Sequence, residues 1–390
     1  MKNDSSGLRS LFQLDPALTY LNFGSFGACP LEIFDTYIGY ERELERSPVK
    51  FITSTGPQYL EMSRKALGAY IGCNAGDVVF VANPTFAINI IARGLGLKRG
   101  DEVLSTNLEY GAMDRTWNFY GKESGFKYVQ QPVDLPVTTS EKFVQDFFKG
   151  ITTNTRAIFI SHITSSTALI LPVKEICMEA KKRGLITIVD GAHVPGHIPL
   201  DLNTLGADIY TGACHKWMMT PKGSSFLYVT KEMQEQFDPL VISWGYESDT
   251  PSSSRFLDYH QFNGTRDFSA FLTIPASIAF MQKYNWNKVS LSCRRLVKEN
   301  VSRFNALLDA VSLCPVTDEW LGQMCSFQLK CKDPAELHTI LFEKYNVEIP
   351  VMRHRDQIYI RYSINAFNSQ DDLDILFNAL SELKKKGKIS

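Results

Sequence analysis

Asp190 follows an apolar run, Leu185-Ile-Thr-Ile-Val189, that reads as a buried strand. A carboxylate there costs free energy unless something cationic meets it. A second short run, residues 207–210, leads on to His215-Lys216. A third, residues 77–82, ends on Asn83-Pro84-Thr85-Phe86, where Thr85 is placed to cap a helix and aim free amides at an anion. Acid, amine and anion cradle together fit pyridoxal phosphate. That cofactor needs a lysine amine for its aldehyde, an acid opposite its ring nitrogen and a seat for its phosphate. An acid that keeps the ring nitrogen protonated makes the ring an electron sink. A contact ion pair at about 4 Å is worth roughly 4 kcal/mol at an effective dielectric near 20.

The elements that must position these groups are legible as periodicity. Apolar runs at residues 77–82, 102–105, 156–161, 185–189, 207–210 and 225–229 alternate with segments of helical spacing, such as residues 171–183, which stop at Gly184. This pattern predicts an α/β domain around a large, mostly parallel sheet. Ligands of such sheets sit outside the carboxyl ends of the strands, which is where Asp190 falls. The segments after other strands, Leu108-Glu-Tyr-Gly-Ala112 and His162-Ile-Thr-Ser-Ser-Thr-Ala168, are chemically loaded as well. No G-x-G-x-x-G or G-x-x-x-x-G-K-[ST] accompanies them, so dinucleotide and P-loop readings lose support. Beyond Thr265 the pattern changes to one long helical region over residues 268–311. A strand at 325–330, a helix at 334–345, strands near 347–351 and 357–362, and a closing helix capped by Ser369 and Asp372 follow. The expected organisation is a large domain over residues 18–265 and a smaller α+β domain over residues 266–390, with residues 1–17 packing on the latter.

Composition narrows the function classes. A formal charge of −1 over 390 residues argues against large electrostatic attraction to nucleic acid or anionic membrane. The terminal Lys384-Lys-Lys-Gly-Lys388 reads as a solvated helix end. The eight cysteines are scattered without metal-ligand spacing and read as small apolar residues of a reducing compartment. The N-terminus has no apolar h-region, so the cytoplasm is expected, with no metal site.

At this point the chain resembles a known family, the class V aminotransferase fold of pyridoxal-phosphate enzymes (fold-type I, aspartate aminotransferase-like), and within it the isopenicillin N epimerase-like branch. The carriers are Leu21-Asn-Phe-Gly-Ser-Phe-Gly-Ala-Cys-Pro30, Glu109-Tyr-Gly-Ala112, residues 162–173, Val189-Asp-Gly-Ala-His193, Cys214-His-Lys-Trp217, Gly264-Thr-Arg-Asp267 and Ile360-Arg-Tyr-Ser363. The resemblance implies roles. Lys216 is the Schiff-base lysine and proton shuttle, and Asp190 the partner of the pyridine nitrogen. His193 and Ser165 lie by the ring hydroxyl, and Tyr110 stacks on the ring face away from the lysine. Thr85, the Phe86 amide and His215 form the phosphate cradle, with Thr265 reaching it from the partner subunit of a homodimer. Arg361 grips the substrate carboxylate, for which a bidentate guanidinium is well shaped, and Asn22 joins it. Lys222, in a turn-like Pro-Lys-Gly, is the rival lysine and the poorer candidate.

The sequence also departs from the family pattern. Phe23 stands where this branch often has histidine, and Ala213 where relatives carry a polar side chain. The segment Tyr345-Asn-Val-Glu-Ile-Pro-Val-Met-Arg-His-Arg355 holds no cysteine, which argues against the persulfide chemistry of a cysteine desulfurase; Cys325 falls within a strand and reads as inert. The expected function is an enzyme acting at Cα of a small amino-acid-like substrate by epimerisation. C–S lysis by β-elimination and transamination are the alternatives, and a non-catalytic binding protein is the remote one.

Overall fold

The computed structural model describes residues 6–390; residues 1–5 of the expected N-terminal segment lie outside it. Seven strands form the central sheet in the order Val78–Val81, Ser225–Val229, Ile209–Ala213, Ile186–Asp190, Thr155–Ser161, Glu102–Thr106, Lys127–Gln131. Ser225–Val229 runs antiparallel to both of its neighbours; every other pairing is parallel. Alternation along the strands sends Val79, Val81, Ile188 and Ile209 to one face and Val78, Phe80, Val189 and Tyr210 to the other. Both faces are buried, which is why the strands read as continuous apolar runs rather than alternating ones.

The exception is Lys127–Gln131, a half-exposed edge strand whose Lys-Tyr-Val-Gln-Gln has no apolar run to detect. The long helical region expected over residues 268–311 is present, and it is divided. It is three helices, Ser269–Leu272, Ile274–Lys283 and Trp286–Leu308. Pro275 sits in the first turn of the second, where its missing N–H is harmless, and Asn285 turns left-handed (φ 48°) before the third.

The C-terminal part carries a three-stranded antiparallel sheet, Val351–His354, Gln357–Ser363 and Met324–Leu329, backed by Trp286–Leu308 and Gln370–Lys385. The last helix has the expected capping box, with the Ser369 amide donating to Asp372 Oδ2 at 2.9 Å. The chain's start lies on this part. Thr19–Tyr20 pairs with Val347–Glu348, and the Phe12 ring meets Phe367 at 5.0 Å. That placement brings residues 22–27 across to the carboxyl ends of the central strands.

Candidate active site

Asp190 is the last residue of its strand, in register with Ser161 on one side and Thr211 on the other. The antiparallel pair Ile209–Ala213 and Ser225–Val229 is joined over the same end of the sheet by residues 214–224. The His215 amide ties that loop down by donating to Ser224 O at 3.0 Å. Lys216 projects from this loop into a cavity of about 370 Å³. Thr85, Tyr110, Ser165, Asp190, His193, His215 and Lys216 all line it, so seven of the expected residues meet around one space. Gly27 lets the N-terminal loop close over them: its φ is +65°, and a Cβ there would stand 2.4 Å from His215 O and 2.7 Å from Lys216 O.

Burial sets the protonation states. It lowers the Lys216 pKa to about 7, helped by the Arg361 charge and opposed by Asp190. It raises that of Asp190, against the Ala192 amide, which donates to Oδ1 at 2.9 Å, and the Lys216 charge. Burial, then the nearby cations led by Lys216, hold His193 well below the usual imidazole range. Trp217 Nε1 donates to His193 Nδ1 across 3.5 Å, which places the imidazole proton on Nε2, 3.2 Å from Lys216 Nζ. Behind them His197 stacks on Trp217 (4.0 Å between ring centres). His197 accepts the Gln323 amide at Nε2, 2.6 Å, so its Nδ1 proton faces His193 O at 2.9 Å. A neutral amine beside a neutral, oriented imidazole is a competent nucleophile and base.

At the other end of the cavity the helix Pro84–Gly94 opens toward the space. Its cap is Asn83, not Thr85, because Pro84 occupies the first turn and fixes the residue before it as the cap. Asn83 Oδ1 accepts the Phe86 amide at 2.9 Å. The Phe86 amide expected in an anion cradle is therefore engaged by protein, and Phe86 packs against the core instead of lining the cavity. Thr85 keeps its place on the wall.

Arg361 is 1% exposed, and its Nε has no partner among the described residues. Nη1 donates to Ser165 O at 2.5 Å, and Nη2 reaches Ser25 Oγ at 3.4 Å. Burial lowers its pKa to about 10, and no carboxylate offsets that cost. A buried guanidinium without an acid keeps a desolvation cost that a carboxylate at hydrogen-bond distance would offset. Asn22 is not on the wall. It stands behind Ser25, accepting its hydroxyl, and donates Nδ2 to Glu348 at 2.9 Å. Thr265 is exposed and does not line this chain's own cavity. Phe23 is fully buried against Trp217 and Phe367, where a histidine would lose packing.

Glu109 was legible only as part of a motif. It is fully buried, accepts Thr106 Oγ1 (2.6 Å), the Ser161 amide (2.9 Å) and the Ser161 hydroxyl, and burial pushes its carboxyl up to about 8. It ties the loop carrying Tyr110 to the strand beside Asp190. The i,i+3 pair Thr106–Glu109 is the local signal for this, but Ser161 is 52 residues away. Cys325 is buried, with its thiol pushed up by burial.

These residues fit pyridoxal phosphate. A depressed-pKa lysine, a buried acid with one oxygen fixed and a helix start share a cavity of suitable size, and a buried guanidinium with no acid beside it adjoins the cavity. The described residues hold no cluster of metal-ligating side chains, and none of their helices is long and apolar enough to cross a membrane.

Comparison with known proteins agrees. The family described as aminotransferase class-V matches residues 34–376. The chain is similar to isopenicillin N epimerase of Amycolatopsis lactamdurans, 31% identical with 97% of this chain and 98% of that one covered. It is also similar to putative L-cysteine desulfhydrase 1 of Oryza sativa subsp. japonica, 27% identical with 94% and 83% covered. The apo structure of a cysteine desulfurase from Thermococcus onnurineus NA1 superposes with a TM-score of 0.84 over 99% of each chain at 20% identity, a likeness of fold. With a family match over most of its length, this chain belongs to the class-V aminotransferase family and is a pyridoxal-phosphate-dependent enzyme.

Proposed function

We propose that the enzyme removes and returns the Cα proton of an amino-acid-like substrate, in the manner of an isopenicillin N epimerase. The observation that carries this is Arg361, a buried guanidinium without an acid beside an amine of depressed pKa. Bound pyridoxal phosphate supplies the electron sink that makes a Cα proton acidic. Asp190 faces its ring nitrogen, and His193 and Ser165 its ring hydroxyl. Arg361, with Ser25 beside it and Asn22 behind, holds the substrate carboxylate. Lys216 takes the proton on one face, and Tyr110, 49% exposed on the wall, serves the other.

A second reading is C–S lysis, favoured by the scarcity of acids opposite Lys216: Phe23 is buried in packing, which leaves Tyr110. Transamination stands behind both. Turnover of a panel of amino acids in deuterated water separates them. An epimerase exchanges the Cα proton, keeps the amino group and accumulates the opposite isomer, and Tyr110→Phe should keep the exchange while losing most of the isomerisation. Pyruvate or a related keto acid with ammonia and a thiol would make the enzyme a lyase instead. Undiminished isomerisation by Tyr110→Phe would remove Tyr110 from its role.

The same reading makes the enzyme a homodimer with shared active sites, Thr265 reaching across to the partner's cofactor phosphate. Exposed apolar side chains close to Thr265 in sequence support this: Val241, Ile242, Tyr246, Phe262 and above all Trp244, 86% exposed. Sedimentation should show a dimer at working concentration; a monomer that holds cofactor tightly would contradict the placement. The division into residues 18–265 and 266–390 belongs to this reading. So does a cytoplasmic setting, which eight unpaired cysteines fit.

A further inference from the structure

Lys222, in the turn-like Pro221-Lys222-Gly223, is exposed along its side chain and lines the mouth of the same cavity as Thr85 and His215. Its Nζ has one protein partner, Gly27 O at a long 3.4 Å. Burial lowers its pKa, and only the Cys29 thiol opposes that shift; no carboxylate does. We propose that Lys222 is an anion-binding residue of this site, its ammonium taking the phosphate of the cofactor.

The reason lies in what the cradle lacks. A phosphate monoester brings about −1.5 to −2 charges at neutral pH. The Phe86 amide is engaged by Asn83, and Ala213 has no polar atom to offer. His215 is held neutral by burial, its pKa lowered to about 4, and its Nδ1 proton is committed to Ser224 O at 2.9 Å, which leaves Nε2 as an acceptor. Thr85 remains, with the partner subunit's Thr265 in the proposed dimer, and both are uncharged. Lys222 is the cation on that wall not already assigned: Lys216 is the amine for the aldehyde, and Arg361 faces the substrate carboxylate. An ammonium suits the task, being a compact point charge that needs no planar partner.

The inference rests on cofactor binding rather than on the reaction at Cα, and its test reads binding alone. Apo-protein is titrated, by visible absorbance, with pyridoxal 5′-phosphate and separately with pyridoxal, which has the aldehyde and no phosphate. Lys222→Met should weaken the phosphorylated ligand about 10- to 100-fold, the range of a lost charge-assisted hydrogen bond, and leave pyridoxal unchanged. Lys222→Arg should recover most of the loss. In the wild type, inorganic phosphate should compete with the phosphorylated ligand, and more weakly in Lys222→Gln, a variant that preserves polarity if the methionine perturbs folding. Equal affinity of wild type and Lys222→Met for pyridoxal phosphate would overturn the proposal. So would equal weakening of both ligands, which marks a general structural change. A loss confined to substrates with an anionic side chain, with cofactor affinity intact, would move Lys222 to the substrate and also overturn it. No outcome depends on turnover, so failure of the proposed Cα chemistry would be separately visible.

Discussion

Replacing Lys216 with alanine should abolish the borohydride-fixed cofactor adduct and lower turnover by about four orders of magnitude, the upper range for one positioned acid–base group. Lys216→Arg should be equally inactive, because a guanidinium stays protonated and cannot act as nucleophile or base. The wild type carries an independent signature. Burial, aided by the Arg361 charge, brings the Lys216 amine down to about 7 from an ordinary 10.5. Capture of pyridoxal phosphate by the apo-protein should therefore rise as pH climbs through about 7 and then level off, where a surface lysine would keep gaining. Folding linkage has the same sign. Between the folded and unfolded pKa values the unfolded chain binds more protons, so apo-protein stability should increase with pH from about 7 upward. An adduct mapped to Lys222 instead would overturn the assignment of the amine.

How much of this was legible in the sequence depends on how local each cause is. The strand Ile186–Asp190 announced itself because both of its faces are buried, and Lys127–Gln131 did not because an edge strand needs no apolar run. Asp190 and Lys216 were readable from their place after apolar runs. The capping of the helix Pro84–Gly94 was assigned to Thr85 although Asn83-Pro84 carries the stronger local signal, proline in the first turn behind a capping asparagine. Arg361 is another matter. Its surroundings come from Ser165, 196 residues away, and Ser25, 336 residues away, so no local pattern shows that its charge is buried without an acid. Resemblance supplied its role, and three-dimensional packing supplies the physical reason. Lys222 is hidden for a related reason: its turn-like tripeptide reads as solvated and Lys222 is in fact exposed, but only the fold sets it on the wall that Thr85 and His215 also line.

Asp190→Asn should keep the fold and the cofactor while lowering turnover by about three orders of magnitude. Asparagine has nearly the volume of aspartate and retains an oxygen to accept the Ala192 amide, so the strand end keeps its bond. What it loses is charge. Asparagine offers an N–H where Asp190 offers a carboxylate, and an N–H favours the unprotonated ring nitrogen, which withdraws electrons poorly. A contact ion pair at about 4 Å contributes roughly 4 kcal/mol at an effective dielectric near 20, and about 1.4 kcal/mol corresponds to a tenfold change in rate. Two measurements separate this from a merely damaged site. The affinity for cofactor should fall far less than turnover does. In the apo-protein the Lys216 capture midpoint should move below the wild-type value, because Asp190 is the group that raises the Lys216 pKa. Near-normal turnover, or a midpoint displaced upward, would mean that Asp190 does not face the ring nitrogen beside Lys216.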